Sequence, residues 1–421
     1  MVIDLRQVMA AILTFSMFIM LGNMIKRDHI DPLFEIAQES RKASDIDFAV
    51  SKASQVILVE ESYGPWQEQY KPPKRCWKNP ILKGKDQSNG YILFSLTRGP
   101  EFHASQVANA VEVARLLGAT LAIPDIKGTK FGEKKSFGDI YDVNNFVTTL
   151  KGVVRVDENP PIELLNSRLP IVRIPERVSE SFIDSEIEPI FRAKRNLRIV
   201  TRFDSSPMIK AKENKLASTY RCPAMFESLK LQAELQGIVD SMVGALRSMS
   251  QKSKARFVAV DLRSEMLQQK GCQEAYASSK RCYDGEAMAE FLTRIGFREQ
   301  ATVYLTQRGW QDRGLKEFRN AFPNTFTKDA IMPAYEKTKY LNSETPEYER
   351  LIDYYICAQG DVFVPAIIGR FYSGVVGERI ASGRTQVFIP AEKTGASNES
   401  AINYLSVYIR KKNHEAHTCF C

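Results

Sequence analysis

Hydrophobic positions fall into three regimes along the chain. A lone apolar run, Val8 to Ile25, comes first. As a helix rising about 1.5 Å per residue it would extend about 27 Å, which suits a thin bilayer. No charge interrupts the run and no small-x-small cleavage pattern follows Leu21, so residues 1–27 read as a short cytosolic end and an uncleaved signal anchor. Residues 28–89 then lose periodicity. Gly64-Pro65, Pro72-Pro73 and Gly84 punctuate a stem whose packing point against the body is Cys76-Trp77.

From Gly90 the pattern becomes regular. Tyr91 to Leu96 reads as a buried strand, Thr97 to His103 as a tight loop, and Val107, Ala110, Val111, Ala114 and Leu117 share one helical face that Gly118 is placed to end. Thr120 to Pro124 is a second strand. After an amphipathic helix over Leu229 to Met249, the alternation resumes: strand Arg256–Val260, a charged turn Asp261–Met266, strand Thr302–Leu305, a helix around Leu315–Phe322 and the short run Thr325–Thr327. A helix over Tyr348–Ala358, strand Asp361–Pro365 and the glycine-spaced stretch Gly369–Gly377 follow. Two consecutive α/β halves predict two Rossmann-like lobes, 90–250 and 251–390, with a cleft between them and a polar tail over 391–421.

Composition narrows the function classes. The chain has 421 residues, more than one core usually supports, and its 44% hydrophobic fraction is enough for two. The net charge of +8 is scattered, in short pairs such as Lys134-Lys135 and Lys411-Lys412, without a long basic tract. Nucleic acid is therefore not an expected partner, whereas a basic cleft for an anionic ligand such as a sugar nucleotide is compatible with the charge. The seven cysteines show no metal-ligand spacing, so no metal site is expected. Cys272 and Cys282 sit close enough in a polar segment to close a short disulfide loop, and the partners of Cys76, Cys222 and Cys357 are not legible. One glycosylation sequon, Asn398-Glu399-Ser400, lies in a polar stretch expected to be exposed. Positive charges flanking the apolar run do not fix its orientation; the sequon and the cysteine pair favour a lumenal body.

The strand–loop–helix opening brings loop amides and a helix N-terminus to the carboxyl edge of a sheet, where an anionic ligand can be held. The loop has one glycine where a dinucleotide fingerprint needs three, and no Walker loop occurs anywhere, which argues against a nucleotide-dependent oxidoreductase.

The segments Arg98-Gly-Pro-Glu-Phe-His103 with Val113-Ala-Arg-Leu-Leu-Gly-Ala-Thr-Leu121, then Val260-Asp-Leu-Arg263, then Gly360-Asp-Val-Phe-Val-Pro365 with Gly377-Glu-Arg379, resemble the plant protein O-fucosyltransferase-like family over about residues 90–390. Within that family the likeness is to its mannan synthesis-related members. The resemblance implies a single-pass type II Golgi membrane glycosyltransferase of GT-B architecture, inverting, metal-independent and without a bound cofactor, using a GDP-sugar donor and a polysaccharide or glycan acceptor. A mannan synthase is an implied partner. It also assigns roles. Arg263 matches the arginine on the donor diphosphate, a task for which a guanidinium fork is suited. Asp361 matches an acidic position expected at the guanine edge or ribose. Gly369, Arg370 and Phe371 match a phosphate-facing loop and helix start, Asp261 and Leu262 flank the arginine, and Arg98, Gly99 and His103 belong to the turn facing the sugar.

Two positions depart from the family pattern. Asp261 stands where the family usually has His, and Glu101 where it often has Asn. A carboxylate beside a diphosphate repels it unless paired or protonated. Asp261 and Glu101 are therefore expected either to serve catalysis as the general base for an acceptor hydroxyl or to silence the site. The alternative to an enzyme is a non-catalytic accessory of a polysaccharide synthase.

Overall fold

The computed structural model describes residues 73–77, 87–130, 132–203, 215–253, 255–263, 283–308, 313–341, 346–391 and 400–421. The signal anchor, most of the stem, the Cys272 and Cys282 pair and the Asn398 sequon lie outside the described residues.

Two sheets carry the fold. The strands of the first half are β1 (Tyr91–Leu93), β2 (Ser95–Leu96), β3 (Thr120–Ala122), β4 (Asp125–Lys127), β5 (Lys134–Lys135), β6 (Arg155–Asp157), β7 (Ile171–Ile174) and β8 (Asn196–Thr201). Five of them form a parallel sheet in the order β6-β3-β1-β8-β7. The second sheet is parallel throughout, in the order β11-β10-β9-β12, from β9 (Phe257–Asp261), β10 (Thr302–Leu305), β11 (Thr325–Thr327) and β12 (Val362–Pro365). The expected strand Tyr91–Leu96 is split at Phe94. β1 joins the five-stranded sheet, while β2 pairs with β4 and, through it, β5 in a small separate sheet. That split turns the chain toward the following loop.

Alternation along β9 shows how the core is divided. Phe257 and Ala259 face a hydrophobic cluster shared with the first sheet, including Ile92, Leu121 and Leu197. Val258 and Val260 face a second cluster with Val303, Leu305, Phe291 and Phe318. Side chains of a strand point alternately to opposite faces, so a strand buried on both must read as a continuous apolar run, which β9 does.

The helices that matter for the site are α1 (His103–Leu117), α2 (Lys215–Phe226), α3 (Ala233–Lys252), α4 (Pro346–Gln359) and α5 (Arg370–Ala381). Gly118 ends α1 as expected, with a φ of 62° that favours glycine, and its N–H donates to Ala114 and Arg115 carbonyls. Helix α3 starts later than its apolar pattern predicts because Leu231 bridges to Tyr141 and Gln232 supplies the N-cap. It packs on β9, β10 and α4, so the boundary expected at 250/251 falls inside a helix that lies against the second sheet.

The expected polar tail is a folded element over its described part, 400–421. Tyr404, Tyr408, Ala416 and Cys419 are buried, and residues 419–421 run antiparallel to 74–76. Disulfides join Cys76 to Cys421 and Cys222 to Cys419, and Cys357 is a buried free thiol. Trp77, the expected packing point, sits edge-on to Phe420 at 5.3 Å in a small cluster with that second disulfide. Periodicity misses the tail because its apolar residues sit in single short turns (Ala401–Tyr404, Val407–Arg410, Ala416–Cys419), each too brief to show a repeat.

Candidate functional site

In parallel α/β sheets the loops leaving the carboxyl ends of the strands form the ligand edge. Here β9 delivers Asp261 and then Arg263, β10 delivers Thr306, β11 delivers Lys328, and β12 leads through Gly369 into α5 with Arg370 and Phe371. The loop after β2 brings Arg98, Gly99 and Glu101 to the same place, and α4 adds Arg350.

At the centre lies the buried ring of Phe371, with the Arg263 guanidinium 4.7 Å from its centroid and that of Arg350 at 5.4 Å. Each arginine holds a buried carboxylate with two donors. Arg263 donates from Nε to Asp261 Oδ1 at 3.1 Å and from Nη2 to Oδ2 at 3.2 Å. Arg350 donates from Nε to Glu101 Oε2 at 3.1 Å and from Nη2 to Oε1. Asp261 and Glu101, the two carboxylates expected to oppose a diphosphate, are thus each paired with a planar fork. Burial pulls the Arg350 guanidinium down, but Glu101, Asp261 and Asp353 outweigh it and hold its pKa above the ordinary value.

Behind Asp261 runs a polar chain. Thr306 Oγ1 donates to Asp261 Oδ1 at 3.0 Å, and Lys328 Nζ donates to the Thr306 carbonyl at 2.7 Å while pairing with Asp353 at 3.0 Å. Tyr304 donates its hydroxyl to the other Asp353 oxygen at 2.6 Å. Burial raises the Asp353 pKa against the pull of Lys328. These groups set Asp261, and through it Arg263, before any ligand arrives.

Gly99 packs close against the Glu101 carboxylate, and a Cβ there, 2.8 Å from it, would push that side chain aside. Beside it opens a cavity of ≈ 470 Å³ lined by Arg98, Glu101, Lys127, Glu347 and Arg350 among others. A larger cavity, ≈ 700 Å³, lies at the amino edge of the first sheet among Arg115, Arg155, Phe191 and Arg195. The smaller one is the better site candidate, because it adjoins strand carboxyl ends and the paired arginines.

Sequence profiles give the same segments a family. The profile of GDP-fucose protein O-fucosyltransferase matches residues 91–382. The chain belongs to this family. Two relatives match end to end: Protein MANNAN SYNTHESIS-RELATED 1 of Arabidopsis thaliana, 46% identical over 100% of both chains, and Protein MANNAN SYNTHESIS-RELATED of Trigonella foenum-graecum, 44% identical over 99% of both. Among solved structures, POFUT1 in complex with GDP covers 73% of this chain and 99% of its own, at 14% identity and a TM-score of 0.42, a likeness too distant to bear on the site. The family is one of glycosyltransferases, as the sequence segments implied.

Of the residues expected in the catalytic and donor sites, the fold gathers Glu101, Asp261 and Arg263 about the ring of Phe371, with Arg98 and Gly99 lining the adjoining cavity. Arg370 stands one residue on from Gly369, which is extended and N-caps α5. It is drawn to the first sheet, where it pairs with Glu176 and lies 5.1 Å from the Phe203 ring. Leu262 is core, 1% exposed.

His103 and Asp361 are placed elsewhere than expected. The His103 ring is buried, with Nε2 2.6 Å from the Thr97 carbonyl and Nδ1 2.6 Å from the Tyr141 hydroxyl. A carbonyl only accepts, so Nε2 carries the proton and Nδ1 accepts from Tyr141; burial pushes the pKa down to about 4. His103 fastens the loop rather than facing a ligand. Asp361 precedes β12 and therefore lies at the amino edge of the sheet, opposite Phe257, whose N–H donates to Asp361 Oδ2 at 3.1 Å. About 13 Å of strand, at roughly 3.3 Å per residue, separates it from the level of Asp261.

Arg350 and Lys328 are the functional candidates that sequence reading passed over. For Arg350 the signal was charge on an otherwise apolar face: Glu347, Arg350 and Asp353 recur every third residue along α4 between Leu351, Ile352 and Ile356, and all three point inward to partners.

Proposed function

We propose that the chain is an inverting Golgi glycosyltransferase that takes a GDP-sugar at the Arg263–Phe371–Arg350 edge and acts in mannan or related cell-wall polysaccharide synthesis, with a mannan synthase as a partner. The reading takes residues 28–421 as a lumenal body of two GT-B-type lobes behind a single type II anchor. The family match and the names of the full-length relatives support it, and the two disulfides favour an oxidising compartment. The observation that carries it is the pair of arginine forks about one aromatic ring at the strand carboxyl ends.

In this reading the diphosphate replaces a carboxylate on Arg263, while Asp261 keeps the Thr306 hydroxyl. A fork already desolvated and oriented loses little on exchanging one oxyanion for another. Glu101, at the wall of the ≈ 470 Å³ cavity, is then the better placed of the two carboxylates to act as base. It takes the proton of the acceptor hydroxyl as that oxygen bonds to the sugar C1 and the C1–phosphate bond breaks, releasing GDP from the opposite face.

The pairing also favours a second reading. With both forks occupied by carboxylates, the site would be silent and the protein an accessory of a polysaccharide synthase. Calorimetric titration of the full chain with a panel of GDP-sugars, followed by a transfer assay, separates the two. Binding with transfer is expected. Binding without transfer would favour the accessory, and no binding across the panel would remove the donor-site reading altogether.

A further inference from the structure

The C-terminal segment reaches the candidate site through an ionic chain that neither the family assignment nor the sequence reading includes. Glu415 is buried, and its Oε1 accepts from Arg221 Nε at 2.5 Å and pairs with Arg177 Nη1 at 3.4 Å. Burial opposes its charge, yet the two arginines outweigh burial and hold its pKa below the carboxylate range. Arg221 in turn donates from Nη1 to Asn109 Oδ1 at 3.1 Å. Asn109, fully buried on α1, donates from Nδ2 to the carbonyls of Pro175 and Glu176 at 3.1 and 2.8 Å, and its Oδ1 also accepts from the Val178 amide at 3.3 Å. All of its hydrogen-bonding capacity is used, and most of it on one loop.

That loop, 175–178, presents Glu176 to Arg370 at the start of α5, one residue from Phe371. It also presents Arg177 to Glu415. The tail therefore grips the loop from two sides. It touches α5 as well, where His414 Nε2 lies 3.1 Å from the Ser373 carbonyl and the Tyr372 and Ser406 hydroxyls meet at 2.5 Å. A covalent link runs beside the ionic one, since Cys222 adjoins Arg221 and Cys419 lies one helical turn beyond Glu415.

We propose that Glu415 is a positioning residue for the Arg370–Phe371 end of the site, holding the 175–178 loop so that Glu176 fixes Arg370 and α5 begins in register with Arg263 and Arg350. The physical reason is the sign of the charge. Without the Glu415 carboxylate the buried Arg221 and the half-buried Arg177 guanidinium groups lose the anion they share, and the carboxylates left to turn toward Arg177 are Glu112 on α1 and Glu176, on the residue next to it. Drawing Glu176 toward Arg177 takes from Arg370 the carboxylate it pairs with.

The test compares Glu415→Gln, which keeps shape and removes charge, with Glu415→Asp, which keeps charge, in the full chain. Hydrogen exchange is read at the Val178 and Ser373 amides, and GDP affinity is read by calorimetry well below the unfolding temperature. Glu415→Gln is expected to speed exchange at both amides and to weaken GDP binding about tenfold, the size of one charge-assisted hydrogen bond, with Glu415→Asp restoring both. Unchanged exchange at Ser373 in a folded Glu415→Gln protein overturns the proposal, as does equal loss in both variants, which would be plain destabilisation. The affinity arm rests on the donor-site reading. Should the unmodified protein bind no GDP, that reading fails while the exchange arm still decides this one.

Discussion

At the amino edge of the second sheet Arg379, fully buried, directs its donors to main-chain carbonyls of Cys357, Ala358, Gly360, Asp361 and Gln386. At the carboxyl edge Arg263 and Arg350 donate instead to side-chain carboxylates and rest on a shared ring. The first arrangement closes the orphan carbonyls at the end of α4 and the entry to β12, and nothing can take its place without unmaking the backbone. In the second, each partner sits on rotatable bonds, so an incoming anion can be exchanged for it. The same residue type is architecture where its acceptors are main chain and available for chemistry where they are side chains.

The contrast is broken most severely at Arg379. Arg379→Met should cost about 3–5 kcal/mol, because it leaves buried carbonyls without donors, and thermal unfolding measures it; GDP affinity of the protein that remains folded should not change. A similar effect at Arg263 would erase the distinction.

Next in size is acid sensitivity. His103 and His414 both place a ring nitrogen against a main-chain carbonyl, and burial pushes both down to about 4. Their folded pKa values lie below the ordinary 6.5, so the unfolded chain binds more protons in between. The stability they allow is complete above about pH 6.5 and is lost as pH falls toward 4, on the order of 3 kcal/mol for each group. His103→Gln should flatten part of that fall in a pH series of unfolding curves. An unaltered slope would mean that His103 is not the neutral loop fastener its contacts describe.

Arg263→Lys tests the carboxyl edge. An ammonium keeps the charge but not the fork, so GDP affinity should drop roughly ten- to a hundredfold, about 1.5–3 kcal/mol, with stability altered by less than about 1 kcal/mol. Equal affinity for Arg263→Lys, Arg263→Ala and the unmodified protein would put the donor elsewhere.

The smallest effect is expected at Asp361. Asp361→Asn retains an oxygen for the Phe257 amide, so stability should change by about 1 kcal/mol or less, and GDP binding should not move. Weakened GDP binding in this variant would contradict its place at the amino edge.

Much of this edge was legible in the sequence. Arg263, Phe371 and the Arg98–Glu101 loop were singled out by the resemblance of their segments to the family, and periodicity added that Arg263 and the Arg98–Glu101 loop follow strands. The partners were not. Glu101 meets Arg350 from 249 residues away and Arg370 meets Glu176 from 194, and nothing local to either member encodes the other. Asp361 was misplaced by the resemblance, which set it at the nucleotide although it opens the strand that ends at Pro365 and so lies at the amino end of β12. The cysteines show the limit most plainly, since pairings across 345 and 197 residues leave no trace in spacing.

The Cys76–Cys421 bond has a consequence for how this molecule comes apart. It turns residues 76–421 into a covalent ring. Cutting a ring once opens it without dividing it. A single protease nick in any loop of the body should therefore release no fragment until the protein is reduced, and whatever precedes Cys76 keeps hold of both new ends.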